Sequence, residues 1–435
     1  MKSCTLYEAF SSRRGTYHCV ALFLALFVVG CGENSYGEIE LMPSPVVYAQ
    51  SDFNPFPEQI DNTLQAQSKL FYVTDRKPAG PKDKQPNYTN QRGQLSRAGS
   101  ATVELSPTVE NWQQFVEVTM QGKRDRKYLL TVEDVTEIGV LPYSVSELFP
   151  SAPTDAEMDK AGKEFAKQID RQLALSSNKD VHIYLHGYNV DFEYSTLVGR
   201  ELEHFLGYQG AFIAYNWAAT PNRLAYFKDQ ETATATRRNL RSLIEFLSKN
   251  TKAERINLIG YSAGSRLAFE VTYQIALLNR EGAPLHLGDV ILISSDLDRS
   301  YVGHALADGL LGAVDQLSIY TSGTDAALGI SSFVFGRDRL GQSWSKDGGD
   351  VWPELEVKLA GLDKLEIIDV TEAEESSVGN GHSFFRTSPW ASSDIFISLL
   401  TPYRAKQRGL VRAEGKAVWT FPLNYPERLS ALGQQ

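Results

Sequence analysis

Gly260-Tyr261-Ser262-Ala263-Gly264 sets a serine between two glycines. The apolar run Ile256–Ile259 precedes it, and the helically spaced Leu267, Val271, Ile275 and Leu278 follow. A sharp strand-to-helix turn of this kind strains the serine backbone and leaves its hydroxyl exposed. It also sets the free N–H groups of the helix start beneath any charge that develops there. The chemistry implied is nucleophilic attack, with Ser262 as the candidate and the small flanks Gly260 and Gly264 preventing clashes. The plain alternative is a helix-capping serine in a tight turn.

A serine hydroxyl is a poor nucleophile until a base takes its proton. Where the serine sits on such a turn, the acid and then the histidine follow it along the chain. Of the seven histidines, His382 alone lies beyond Ile319, in the loop Gly379-Asn380-Gly381-His382-Ser383. For the acid, Asp325 follows the run Leu317–Tyr320, while Asp296 and Asp298 follow the preceding run Val290–Ile293 and compete with it. A βα-turn aspartate can equally be a helix cap. In the role expected of it, Asp325 orients His382, which deprotonates Ser262 and later protonates the leaving group. The turn His186-Gly187-Tyr188-Asn189 ends another apolar run, and its Tyr188 N–H, with the N–H of Ala263, is the expected oxyanion hole. His182 and His186 stand four apart, but no third ligand cluster accompanies them, so no metal site is expected.

These residues need a scaffold that brings strand ends together. Val181–Leu185, Phe212–Tyr215, Ile256–Ile259, Val290–Ile293, Leu317–Tyr320 and Leu365–Val370 read as buried strands. Between them Val198/Leu202/Phe205, Leu240/Leu243/Ile244/Leu247 and Leu267/Val271/Ile275/Leu278 have helical spacing, and Thr154-x-x-Glu157 has the form of a capping box before a further helical stripe. The alternation predicts an α/β fold over residues 151–425, a mostly parallel sheet with helices on both faces. Chemistry in such sheets collects at the carboxyl ends of the strands. Residues 66–150 predict a β-rich N-terminal extension with strands at Leu70–Thr74, Thr102–Leu105, Phe115–Met120 and Tyr128–Val132, and with Asp75–Ser100 as a loop.

The chain of 435 residues is 42% hydrophobic and 22% charged, an ordinary globular composition. Its formal charge of −10 argues against nucleic-acid binding, which needs a basic face. Residues 1–30 read as an export signal: Lys2, Arg13 and Arg14 precede the apolar run Cys19–Val29, whose 11 residues are too few to span a membrane. Val28-Val29-Gly30-Cys31 resembles a lipoprotein cleavage site, with Cys31 as the lipidated residue. Cleavage there removes three basic residues and one acidic residue and takes the charge from −10 to −12. It also removes Cys4 and Cys19, so no free thiol would remain for a disulfide or a thiol nucleophile. The expected location is the bacterial cell envelope, lipid-anchored, on the outer membrane facing the periplasm where two membranes exist. Residues 31–65, rich in Ser, Pro, Asn and Gln, read as a flexible tether.

Six segments in order resemble a family of bacterial alpha/beta hydrolases catalogued as a domain of unknown function. They are Phe71–Arg76 (FYVTDR), His186–Asn189 with Trp217 after the next strand, the serine turn, Ser294–Asp298 (SSDLD), Tyr320–Leu328 (YTSGTDAAL) and Gly381–Phe385 (GHSFF). The likeness covers roughly residues 68–400. It implies the alpha/beta-hydrolase fold and Ser262, Asp325 and His382 as a triad. Tyr261, Ala263 and Ala218 depart from the family's usual residues, which bears on the pocket walls. Ala218–Thr236 reads as a lid or an acyl-pocket wall, or as simple packing. The function expected is a carboxylesterase, lipase or thioesterase working through an acyl-enzyme on a small-molecule or lipid-like ester, without a cofactor. Amide, peptide or acyl-transfer chemistry on envelope material needs the same groups, and a non-catalytic scaffold that binds a partner is the third reading.

Overall fold

A computed structural model describes residues 37–51, 53–56, 69–144, 153–282, 285–344 and 353–430. The signal segment and Cys31 lie outside the described residues. The strands are β1 (Glu38–Glu40), β2 (Lys69–Pro78), β3 (Tyr88–Ser106), β4 (Leu129–Val140), β5 (Asp180–Leu185), β6 (Ala211–Asn216), β7 (Arg255–Tyr261), β8 (Leu287–Ile293), β9 (Val314–Thr321), β10 (Leu365–Asp369) and β11 (Val418–Thr420). The helices are α1 (Val46–Gln50), α2 (Trp112–Met120), α3 (Asp155–Leu175), α4 (Phe192–Phe205), α5 (Tyr226–Asn250), α6 (Ala263–Asn279), α7 (Arg299–Ala307), α8 (Ala326–Phe335), α9 (Pro353–Ala360), α10 (Phe384–Thr387), α11 (Pro389–Leu400) and α12 (Tyr425–Leu429).

All the strands join one sheet in the order β1-β4-β3-β2-β6-β5-β7-β8-β9-β10-β11. From β2 to β11 neighbours run parallel, and β3, β4 and β1 extend the sheet antiparallel. Side chains alternate between its faces. Ile183, Leu258 and Leu292 pack on one side with Phe165 of α3, Leu243 of α5 and Val271 of α6. Tyr184, Ile259 and Ile291 pack on the other with Leu202 of α4 and Ile395 of α11. Each Leu, Ile or Val buried in this way contributes about 1.5–3 kcal/mol. The capping box of α3 forms, with the Thr154 side chain accepting from the Glu157 N–H and the Glu157 carboxylate accepting from the Thr154 N–H. This is the mostly parallel α/β sheet expected from the alternating pattern, and the alpha/beta-hydrolase fold that the resemblance implies.

Three stretches differ from the sequence expectation. Residues 37–50, expected within the tether, form β1 and α1, and Ile39, Leu41, Met42, Val47 and Tyr48 are buried in the core. Short apolar runs inside a polar stretch suffice when a sheet edge is there to receive them. Phe115–Met120, expected as a strand, belongs to α2, whose start is capped by the Asn111 side chain accepting from the Gln114 N–H. The cap, one turn before the β-branched run, overrides that run's β preference. Asp75–Ser100, expected as a loop, is largely the β2–β3 hairpin, paired from Lys69↔Thr102 to Pro78↔Tyr88. Polar residues sit there because much of that hairpin faces solvent on one side.

On the face of the sheet that α11 covers, a buried charge network fastens the C-terminal segment to the sheet. Arg408 donates to Asp394 Oδ1 (2.7 Å), to Glu366 Oε2 (2.9 Å) and to the Tyr403 carbonyl (2.9 Å). Tyr320 donates to Asp394 Oδ2 (2.7 Å), and Glu366 Oε1 takes the Ala405 N–H (2.7 Å).

Candidate active site

The sheet register lines up the segments singled out in the sequence. Leu185 pairs with Gly260, Tyr261 with Ile293, Ile293 with Tyr320, and Thr321 with Asp369. The residues that follow β5, β7, β8 and β9 therefore emerge side by side. β5 lies between β6 and β7; the chain leaves β5 towards β6 and leaves β7 towards β8, so these connections diverge and open a crevice between the carboxyl ends of β5 and β7.

Ser262 stands in this crevice with φ 52° and ψ −120°, a left-handed backbone conformation uncommon for a non-glycine residue. Its N–H is held by the Ile293 carbonyl (2.9 Å). The glycines that flank it are sterically required: a Cβ on Gly264 would lie 2.1 Å from the Leu185 carbonyl oxygen, and one on Gly260 2.6 Å from Ser265 Cα. α6 starts at Ala263, so the first N–H groups of that helix have no intrahelical acceptor.

The other candidates meet at the serine. His382 Nε2 is 2.9 Å from Ser262 Oγ, and His382 Nδ1 is 2.7 Å from Asp325 Oδ2. Asp325 also caps α8, its Oδ1 accepting from the Leu328 N–H (3.0 Å). One carboxylate thus orders both a helix start and an imidazole. The His382 loop is fixed by Ser294 Oγ donating to the His382 carbonyl (2.8 Å) and by the Ala326 N–H donating to the Asn380 carbonyl (3.0 Å). Tyr261 packs on the His382 ring and on Phe385, with its hydroxyl 2.9 Å from Ser383 Oγ.

The competing acids lie elsewhere. Asp298 caps α7, accepting from the Ser300 and Tyr301 N–H groups. Asp296 accepts at Oδ2 from the Tyr226 hydroxyl and Gln230 Nε2, each at 2.7 Å, and its Oδ1 faces Arg266 Nε at 3.5 Å. The Asp296 carbonyl takes Arg266 Nη2 (3.2 Å) and Arg339 Nη1 (3.1 Å). Around this aspartate Asp296 Oδ1, Arg266 Nε, Arg339 Nε and Arg339 Nη2 have no hydrogen-bond partner among the described residues. Tyr226 also meets Tyr188 edge-on at 5.2 Å, so the start of α5 walls the crevice.

The Gly187–Tyr188 turn passes alongside Ser262, since a Cβ on Gly187 would sit 3.1 Å from Ser262 Cβ. His186 stacks on Trp217 at 5.0 Å and stands between the Gly187 and Trp217 carbonyls, while the indole N–H donates to the His186 carbonyl (2.8 Å). Burial, with Arg76 nearby, pushes the His186 pKa down to about 3. His182 lies against Asn257, and burial lowers its pKa to about 4. Among the described residues no group of three or more His, Cys, Asp or Glu could hold a metal ion.

Sequence reasoning gave no role to Arg76 or Asp229. Arg76, fully buried at the end of β2, donates to the Val190 and Ala219 carbonyls (3.2 and 3.0 Å) and to Asn90 Oδ1 (2.9 Å). It binds the loop after β5 to the loop after β6, and burial lowers its pKa to about 10. Asp229 of α5 accepts the Thr220 N–H (2.9 Å) and hydrogen-bonds the backbone of Asn189. The available signal was the Asp75-Arg76 pair closing an apolar strand, since buried charge needs partners waiting for it.

A family model described as an alpha/beta hydrolase of unknown function (DUF900) matches residues 161–400. No curated protein matches the chain. Esterase B from Lactobacillus rhamnosis, solved inhibited by a C4-C4 SN3 tributyrin phosphonate, shares 14% identity over 51% of this chain and 74% of that chain, with a TM-score of 0.27. An esterase from Pyrobaculum calidifontis shares 16% identity over 60% of this chain and 76% of its own, with a TM-score of 0.22. Likeness at that level carries no argument about the site. The family match runs from α3 through α11 and takes in more than half of the sequence. The chain belongs to this family of alpha/beta hydrolases of unknown function.

Proposed function

We propose that the protein is a serine hydrolase that cleaves esters through an acyl-enzyme. The observation that carries this reading is the hydrogen-bonded series Asp325–His382–Ser262, at 2.7 and 2.9 Å, ending on a serine of positive φ at a helix start. In the reaction, Ser262 Oγ attacks the ester carbonyl carbon as His382 Nε2 takes the hydroxyl proton. The carbonyl oxygen becomes an oxyanion, held by the backbone N–H groups of Ala263 and Tyr188. His382 passes its proton to the departing alkoxide, which leaves as the alcohol. Water then attacks the acyl-enzyme, with His382 as base again, and releases the acid. Asp325 keeps the imidazole in the tautomer that accepts at Nε2 and stabilises the imidazolium. Esters fit best because Tyr188 and Tyr226 give the crevice an aromatic wall suited to an apolar acyl or alkyl chain.

A fluorophosphonate probe read by intact mass tests this. One adduct is expected on the wild type and none on Ser262→Ala, whose turnover of p-nitrophenyl butyrate falls by on the order of 10⁵–10⁶. Absence of an adduct on a folded wild type would overturn the assignment. Turnover of anilides but not esters would move it to amide chemistry.

A further inference from the structure

The start of α5, with Leu224 just before it, and the exposed side chains Ile330, Phe333 and Phe335 of α8 form one apolar surface at the mouth of the crevice. α8 carries no charged residue, yet of its described side chains only Leu328 is buried among the core residues, while Ile330 and Phe335 are 43% and 42% exposed. A helix apolar all round is normally buried. Across from it Leu224 and Phe227 are 72% and 61% exposed. The two sides touch, with the Phe227 and Phe335 rings 5.8 Å apart and Tyr226 against both. Tyr226 in turn packs on Tyr188, so the exposed apolar surface runs without a break to the wall beside Ser262. α8 also begins at Asp325, which ties this surface to the site's acid. Contiguous exposed apolar patches on a soluble body mark surfaces that meet another apolar phase or partner.

The charges around the patch choose the occupant. Along Arg223–Glu231 and Ile330–Asp338, Arg223, Lys228 and Arg337 are at least partly exposed cations, against two exposed anions, Glu231 and Asp338, of which Asp338 faces Arg299 at 3.7 Å. This rim is net cationic on a chain of net charge −10. Two copies meeting through it would bring like charges together, whereas an anionic lipid surface would attract it.

We propose that this rim docks on an anionic lipid surface, so that the esters reaching Ser262 are drawn from a lipid phase rather than from solution. The docking step is independent of catalysis, and its link to substrate choice rests on the serine-hydrolase reading above. The test uses the full chain as Ser262→Ala, which leaves lipid esters intact, with vesicles of phosphatidylcholine and phosphatidylglycerol (7:3) at the lipid concentration that binds half of the protein. Leu224→Ser/Phe227→Ser is expected to bind at least threefold less in co-sedimentation. Lys228→Glu/Arg337→Glu is expected to lose at least tenfold on these vesicles and little on pure phosphatidylcholine, since each cation near an anionic surface contributes about fivefold in affinity. In the Ser262 background, Leu224→Ser/Phe227→Ser should turn over soluble p-nitrophenyl acetate within twofold of wild type. Unchanged vesicle binding in both double variants would overturn the proposal. So would a dimer in sedimentation velocity that Leu224→Ser/Phe227→Ser dissolves while vesicle binding persists. Loss of soluble-ester turnover in the wild type itself would strike the hydrolase reading and leave the binding result standing.

Discussion

Two buried charge clusters, one around Arg408 and one around Asp296, use the same materials differently. Around Arg408 the carboxylates of Asp394 and Glu366, a tyrosine hydroxyl and main-chain groups meet in a closed set of hydrogen bonds. Around Asp296 two guanidinium groups converge on one carbonyl, while Asp296 Oδ1 and Arg266 Nε meet only as an ion pair at 3.5 Å. Nε and Nη2 of Arg339, whose guanidinium lies 4.3 Å over the Phe335 ring, have no hydrogen-bond acceptor among the described residues. A buried polar group without a partner is costly and uncommon, and natural proteins keep such groups mainly where function needs them. The closed cluster fastens the C-terminal segment. The open one forms the far side of the crevice wall, held to Tyr226 and Gln230 of α5 and to Arg266 on the helix that carries Ser262 at its start. The contrast separates charge that fixes the fold from charge that shapes the site.

The contrast breaks most visibly at Arg408. Arg408→Ala strands two buried carboxylates, and such losses cost about 3–5 kcal/mol. Urea denaturation should show that loss, while the protein that remains folded keeps its ester turnover. A change below about 1 kcal/mol would mean that the closed network does not hold the C-terminal segment. On the site side, acid sharpens the comparison through His186. Its folded pKa of about 3 lies below the ordinary histidine value of 6.5, so the unfolded chain binds the proton first and stability drops as pH falls below 6.5. The stability gap between wild type and His186→Asn should therefore narrow by about 1.4 kcal/mol per pH unit from 6.5 towards 4. A gap constant over that range would show the imidazole to be free to protonate in the fold. The smallest effect belongs to Arg339→Met, which removes two unpartnered N–H groups and leaves Arg266 on the Asp296 carbonyl. Stability should stay within about 1 kcal/mol of wild type, while KM for p-nitrophenyl butyrate shifts more than kcat. Destabilisation as large as that at Arg408 would erase the distinction.

Much of this was legible in the chain. The strands β5 to β10 are buried on both faces and so read as short, mainly apolar runs, interrupted by few polar residues such as His182, Asn257 and Glu366. The strand-to-helix serine and the late histidine stand out against that alternation, and the structure sets His382 within hydrogen-bond distance of both Ser262 and Asp325. Asp296 and Asp298 could not be separated from Asp325 by sequence, because all three follow a strand and two of the three cap a helix. What decides is the reach of the Gly379–Ser383 loop, a tertiary fact. The first part of β3, before the expected strand Thr102–Leu105, escaped notice for a different reason: Asn90 to Gln94 are polar because one side of the hairpin faces water, and a ladder of backbone hydrogen bonds leaves little mark in side-chain types. Arg76 stayed without a role because its acceptors are carbonyls from two distant loops, and carbonyls are present in every residue.

The three-residue strand β1 shows how one margin of so wide a sheet is finished. β4 offers twelve residues of backbone, and along Leu129–Thr131 its outer N–H and C=O groups are taken by Glu38–Glu40, the chain's own N-terminal segment. At the opposite margin β11 is equally brief. A long bare margin invites strand-on-strand aggregation between molecules, and brief, charged margins discourage it. Glu38 and Glu40 face solvent there, with Lys127 bridged to Glu40 at 2.7 Å. The stretch expected as a flexible tether thus works as a guard strip against self-templated assembly along the part of β4 that it covers.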